Sequence, residues 1–246
     1  MTRTLRVQAL SRIAPRPLWA AVVALVTLIA GCGGGEYPAP TPTLPSADVL
    51  RDQTVERLLA LSSVRFEITH PGEGTDMGGG LLLTSVEGVA AFPDRAEMTA
   101  AGTITPAVVN FDIIQIADIT YFSGPFGDTW RIVAPGTLPF NFVAMHESVA
   151  HAIVSAVDLI VADGGKLDGT PVVTLAGTIS SEDLRGLVPG AADGRPLRVT
   201  ASMRRDNGLP IRVILEGSLI GVDTESMVRH LDLSDFDAAV TIAPPL

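Results

Sequence analysis

The sequence predicts an α+β fold built on one large antiparallel sheet. Three observations carry that expectation. Short apolar runs are separated by Gly, Pro, Asn and Asp turn signals at the spacing of a meander. Two segments switch instead to apolar residues at three- and four-residue steps. The order of elements is helix, a run of strands, helix, a strand pair, a short helix, then strands, which groups the helices outside a continuous sheet.

The chain opens on a targeting segment. Arg3, Arg6, Arg12 and Arg16 form a positive region, and Leu18 to Ala30 form an apolar stretch. That stretch falls short of the roughly 20 residues a spanning helix needs. Ile29-Ala30-Gly31 then precede Cys32, the only cysteine. A bulky aliphatic residue and two small ones before a cysteine make a lipobox, so residues 1–31 are read as a lipoprotein signal peptide and Cys32 as the lipidation site. Two acyl chains hold such a domain stably at a membrane, since each buried methylene contributes roughly 0.8 kcal/mol. The expected place is the extracytoplasmic face of the cell membrane. Residues 32–45 form the lipidated N-terminus and a Gly/Pro-rich tether, and residues 46–246 one domain.

Ser46 to Leu61 is expected to be the first helix, with Ser46 or Asp48 as N-cap. Strands follow over Val64 to His70, Gly80 to Ala90, Arg95 to Gly102, Val108 to Ile116, Ile119 to Ser123 and Thr129 to Val133. In the Val108 to Ile116 run, Val109, Phe111 and Ile113 share one face at period two, with Asn110 and Asp112 on the other. Phe142 to Val157 is the second helix. Its apolar surface is wider than one stripe, so it is either buried or faces a greasy ligand. Leu159 to Ala162 and Thr170 to Gly177 flank the Asp168-Gly169 hairpin signal. Ser180 to Leu184 opens a third, short helix with a hydroxyl cap and early acids. Arg195 to Arg205 and Leu209 to Glu216 pair around Asp206-Asn207-Gly208, and Arg229 to Ile242 is the last element.

Composition narrows the function. The chain has 17 basic and 27 acidic residues. Removing residues 1–31, with four Arg and no acid, leaves 13 basic residues and a net charge of −14, which opposes nucleic acid and anionic lipid surfaces. Trp130 is the only tryptophan after the signal, so the stacked rings of a sugar site are missing. His146 and His151 stand five apart, ~140° out of register on a helix, and do not form a zinc pair. Asp232, Asp235 and Asp237 lack the central Gly and terminal Glu of a calcium loop. There is no nucleophile elbow, phosphate-cradling loop or dinucleotide fingerprint. No catalytic residue, metal site or cofactor is expected, and the chain is not read as an enzyme.

Several loose motifs then fall in a recognisable order. They are Leu58-Leu59-Ala60-Leu61-Ser62-Ser63-Val64, Ile119-Thr120-Tyr121 with Thr129-Trp130, and Leu167-Asp168-Gly169-Thr170-Pro171 with Leu175-Ala176-Gly177-Thr178. Ser202-Met203-Arg204-Arg205-Asp206-Asn207-Gly208-Leu209-Pro210 and Leu231-Asp232-Leu233-Ser234-Asp235-Phe236 complete the set. Together they resemble the LppX/LprG lipoprotein family of mycobacteria and relatives. The resemblance implies a U-shaped, half-open antiparallel β-barrel with helices on its concave side, enclosing an apolar cavity that holds acylated lipids or glycolipids. It implies carriage of those lipids across the cell envelope, a membrane transporter as a possible partner, and neither metal nor enzymatic activity. The candidate cavity residues are Val109, Phe111 and Ile113 from the strand, Phe142, Met145, Val149 and Ile153 from the second helix, and Leu184 and Leu187 from the third. A two-chain lipid hides roughly 30 methylenes, about 24 kcal/mol of gross transfer. The rival expectation is a scaffolding envelope lipoprotein with a solid core that binds a protein partner. A continuous apolar void of several hundred cubic ångströms, against methyl-sized gaps, separates the two.

Overall fold

The computed structural model describes residues 44–245, apart from Glu73, residues 126–128 and Pro135. The signal segment, Cys32 and the tether as far as residue 43 lie outside the described residues.

Helix α1 spans Ala47–Leu59, and the Ser46 hydroxyl caps it by accepting from the Val49 N–H. Twelve strands follow, all paired antiparallel: β1 Ser63–Thr69, β2 Thr75–Asp76, β3 Leu81–Ala91, β4 Arg95–Ile104, β5 Ala107–Ile116, β6 Ile119–Ser123, β7 Arg131–Val133, β8 Val157–Leu167, β9 Thr170–Ser180, β10 Pro196–Arg204, β11 Pro210–Glu216 and β12 Val228–Ser234. Helix α2, Met145–Ser155, lies between β7 and β8 after a 3₁₀ turn at Phe142–Ala144.

The sheet runs β7-β6-β5-β4-β3-β1-β12-β11-β10-β9-β8, with β2 paired to β3 off that path. Two meanders, β3 to β7 and β8 to β12, are joined where β1 pairs β3 on one side and β12 on the other. The terminal strands β7 and β8 do not pair, so the sheet is open rather than a closed barrel. They stand at opposite ends of it, yet are consecutive in the chain. Residues 134–156 must therefore cross the sheet, and α2 is the helix they form. It packs on α1, β9 and the turn at Ser181–Leu184.

Three expectations change. The third helix is a single 3₁₀ turn, Ser181–Leu184, held by the Asp183 carboxylate accepting from the Ser180 N–H at 2.9 Å, and one further turn, with the Val188 N–H donating to the Leu184 carbonyl at 2.8 Å, leads to Pro189. The last strand ends at Ser234, because Asp235 and Asp237 adopt positive φ of 47° and 57°. Strand β8 begins at Val157, where the second helix was expected to continue, and runs to Leu167. The short β2 had no apolar alternation to announce it.

Candidate functional site

Between the inner face of the sheet and α2 lies an apolar cavity. Its volume is about 170 Å³, and it opens to solvent on one side. That volume is on the scale of an apolar cavity of about 150 Å³ that admits a benzene-sized guest. It exceeds any methyl-sized packing defect and falls below the several hundred cubic ångströms of the sequence-based criterion.

Strand alternation builds the floor. Leu175, Gly177 and Ile179 of β9, Val199 and Ala201 of β10, and Val213 and Leu215 of β11 face the cavity at period two. Gly177 keeps this wall low; a Cβ there would stand 2.9 Å from Leu159 Cδ2. The roof comes from α2, where Val149, Ala152, Ile153 and Ala156 recur at helical spacing. Leu184, Leu187 and Val188 close one side.

Of the nine residues picked from sequence, five border this cavity: Phe142, Val149, Ile153, Leu184 and Leu187. The other four do not. Met145 turns toward a much smaller pocket against Leu58, Leu61, Val64 and Phe92. Val109, Phe111 and Ile113 share the inner face of β5 as expected, Val109 and Ile113 buried and Asn110 and Asp112 exposed. Their end of the sheet is filled. Ile113 belongs to the same core as Phe66 and Phe142, Phe66 and Phe142 stack at 4.6 Å, and Phe111 meets Phe122 at 5.6 Å. Aromatic volume occupies the space that those three residues were expected to border. Gln115 pins this corner, its Oε1 accepting from the Phe142 N–H at 2.9 Å.

The two helical histidines have separate settings. His146 is buried, its ring centroid 3.8 Å from Phe92, whereas His151 is exposed and reaches Asp183 at 4.0 Å. The C-terminal aspartates are each engaged. Asp232 pairs with Arg212, Asp235 with Arg65, and Asp237 accepts from the N–H and hydroxyl of Ser62. No group of His, Cys, Asp and Glu able to hold a metal occurs among the described residues.

Sequence reasoning missed the polar part of the wall. Of thirty lining residues, only His70, Thr75, Arg229 and His230 have polar side chains. Alternation puts Arg229 on the inner face with Leu231 and Leu233, and His230 on the other. A lone Arg in the Arg-Leu-Leu period of an otherwise apolar face was the available signal. The Arg229 Nη2 donates to Thr75 Oγ1 at 2.9 Å and to Asp223 Oδ2 at 2.7 Å. The same Asp223 oxygen accepts the N–H groups of Leu219 and Ile220 at 2.9 and 3.0 Å. Burial pushes His70 below its ordinary pKa, against the opposing pull of its hydrogen bond to the Thr84 carbonyl.

No family model matches the chain, and no curated protein matches it. Solved structures do. LprF from Mycobacterium bovis superposes with a TM-score of 0.62 at 16% identity, over 82% of this chain and 99% of that one. Mycobacterium tuberculosis lipoprotein LppX superposes with a TM-score of 0.54 at 18% identity, over 80% of this chain and all of that one. The resemblance seen in the motifs thus extends to the whole described domain: an α+β chain with an open, twelve-stranded antiparallel sheet, it has the fold of LprF and LppX.

Proposed function

We propose that this chain is a membrane-anchored lipoprotein that binds an acylated lipid in the cavity under α2 and carries it across the cell envelope. One observation carries the reading: twenty-six of the thirty residues around the cavity are apolar or lack a polar side chain. Water gains little in such a space, and an acyl chain gains roughly 0.8 kcal/mol per methylene buried. A volume of about 170 Å³ suits a segment of one acyl chain, the rest leaving through the open side. LppX, which shares the fold, is a lipoprotein, and this supports an anchored role, with Cys32 as the acylated residue and a membrane transporter as a possible partner.

Purified full-length lipoprotein, extracted and analysed by lipid mass spectrometry, tests this. The expected result is a co-purifying acyl lipid that exchanges with added lipid. Ala152→Phe, which fills the space beneath α2, should lower the bound lipid by about tenfold, the scale of an overpacking penalty. Protein that retains no lipid, from a lipid-rich host and with no uptake from vesicles, points instead to the solid-core scaffold.

A further inference from the structure

The short segment joining α2 to β8 borders both the cavity and the solvent. Ala156 and Leu159 line the cavity, and Leu159 lies over Gly177, where a Cβ would stand 2.9 Å from its Cδ2. In the same segment Val154, Val157 and Ile160 are 57%, 57% and 67% exposed. Pairing explains the split. Val157 and Ile160 stand opposite Thr178 and Ala176, out of step with the inward Leu175, Gly177 and Ile179, and a bulge lies between them. Exposed apolar residues scattered singly are ordinary on a protein surface; three large aliphatic side chains on one rim of an apolar cavity are not.

The chain enters the domain at this same edge. Leu44 packs on the buried cluster around Leu50 and Leu175 that Leu159 and Val161 also cover. It stands twelve residues after Cys32, a reach of at most about 40 Å, so an acyl anchor at Cys32 keeps the rim close to the bilayer surface. A second protein fits the strip less well. Stable interfaces take roughly 20–30 residues a side, and the register shifts at Val157/Ile160 and Asp163/Lys166 blunt pairing along β8. A bilayer asks for neither shape complementarity nor a strand partner. Three aliphatic side chains bind it weakly alone, but a short link raises their effective concentration to the order of millimolar, where weak insertion suffices. The unpaired backbone of the β8 edge holds that contact at the interface, outside the hydrocarbon.

We infer that Val154, Val157 and Ile160 seat the rim of the cavity on the surface of the bilayer that holds the Cys32 anchor. This rests on the anchored reading above and adds to it a docking surface and an orientation. With the rim seated, an apolar guest passes between membrane and cavity without crossing water, where each methylene would be exposed. The net charge of −14 after residue 31, and Asp158 within the strip, favour a neutral headgroup surface over an anionic one.

The test uses the full-length lipoprotein in phosphatidylcholine vesicles, carrying Ile160→Cys or, separately, Ile132→Cys, each labelled with an environment-sensitive fluorophore. Ile132 is as exposed as Ile160, at 68%, but lies on β7 at the other end of the strand order. The expected result is a blue shift at 160 and quenching there by brominated phosphatidylcholine, with neither at 132. Val157→Asp should abolish both signals at 160; these positions are exposed, and the comparison of the two labels decides the matter even if that variant folds poorly. Protein that floats with the vesicles but shows no shift at either label overturns the docking and leaves the anchor standing. Equal quenching at both labels overturns the choice of rim. A blue shift without quenching means that a protein, a second copy or another, covers the strip, and overturns the bilayer as its occupant. Protein that does not float with the vesicles overturns the anchored reading and the docking with it.

Discussion

Gly88 shows how closely single positions are set. It lies on β3 between Phe66 of β1 and Met98 of β4. A Cβ there would stand 2.6 Å from Met98 Cβ and closer still to the Glu97 carbonyl oxygen. Backbone cannot yield as a flexible side chain does, so Gly88→Ala should destabilise the domain by about 1–3 kcal/mol, read as a lower urea midpoint. The buried histidines set a pH dependence. Burial lowers the pKa of both His70 and His146; the Glu147 charge opposes it at His146, and the Thr84 carbonyl opposes it at His70. Around His70, Arg229 also lowers and Asp223 raises the value. The folded state thus resists a proton that the unfolded chain takes up near pH 6.5. Stability is fully present above about pH 6.5 and is lost as pH falls through the lowered folded values. The urea midpoint should fall between pH 7.5 and 5.5, and His146→Leu should flatten that fall. An unchanged slope in the variant would remove His146 from the account.

At the scale of elements, α1 is a modest helix made necessary by where it docks. Leu50, Thr54 and Leu58 are buried, while Leu59 is half exposed. Thr54 donates to the Gly208 carbonyl at 3.0 Å and contacts the Met203 sulfur, tying the helix to the β10–β11 hairpin. Thr54→Val keeps the shape and deletes the donor. Its expected cost is about 1–2 kcal/mol by chemical denaturation, with helix content retained in the folded state. The edge strand β8 has register shifts at Val157/Ile160 and Asp163/Lys166, and Asp163 engages Arg205 outside the ladder. Bulges and charge on an exposed edge discourage pairing with a second copy. The outward pairs Arg65–Asp235 and Arg198–Glu216 are largely solvated, so their contribution is small beside that of the inner face.

For the whole molecule, the determining fact is that β7 and β8 lie at opposite ends of the sheet. The connection between them crosses over the inner face, so α2 is held above the floor by its own topology rather than by meshing with every strand. That leaves the cavity under β9 to β12 and reaching β1 and β3, while Phe66, Phe111 and Phe122 help fill the far end, with Phe142 between the two. Acylation of Cys32 is the corresponding prediction for the chain as a unit. Cys32→Ala should move the protein from the membrane fraction to the soluble fraction, or leave a larger, unprocessed form; fractionation and migration identical to the parent would rule out the anchor.

Most strands, both helices and the Asp168-Gly169 turn were legible in the sequence, because period two and period 3.6 are written in neighbouring residues. The inward identity of Val109, Phe111 and Ile113 was legible for the same reason. What they face was not, since the partner aromatics Phe66, Phe122 and Phe142 come from distant segments. The single Arg-Leu-Leu alternation in β12 carried the charged interruption of the wall without showing its partners, as Asp223 and Thr75 meet Arg229 only when β2 and the loop before β12 fold over it. Local pattern thus determined the elements and their apolar faces by itself. Long-range pairing, which places β7 and β8 apart and swings α2 across, alone decided which of those faces pack together and which enclose a space.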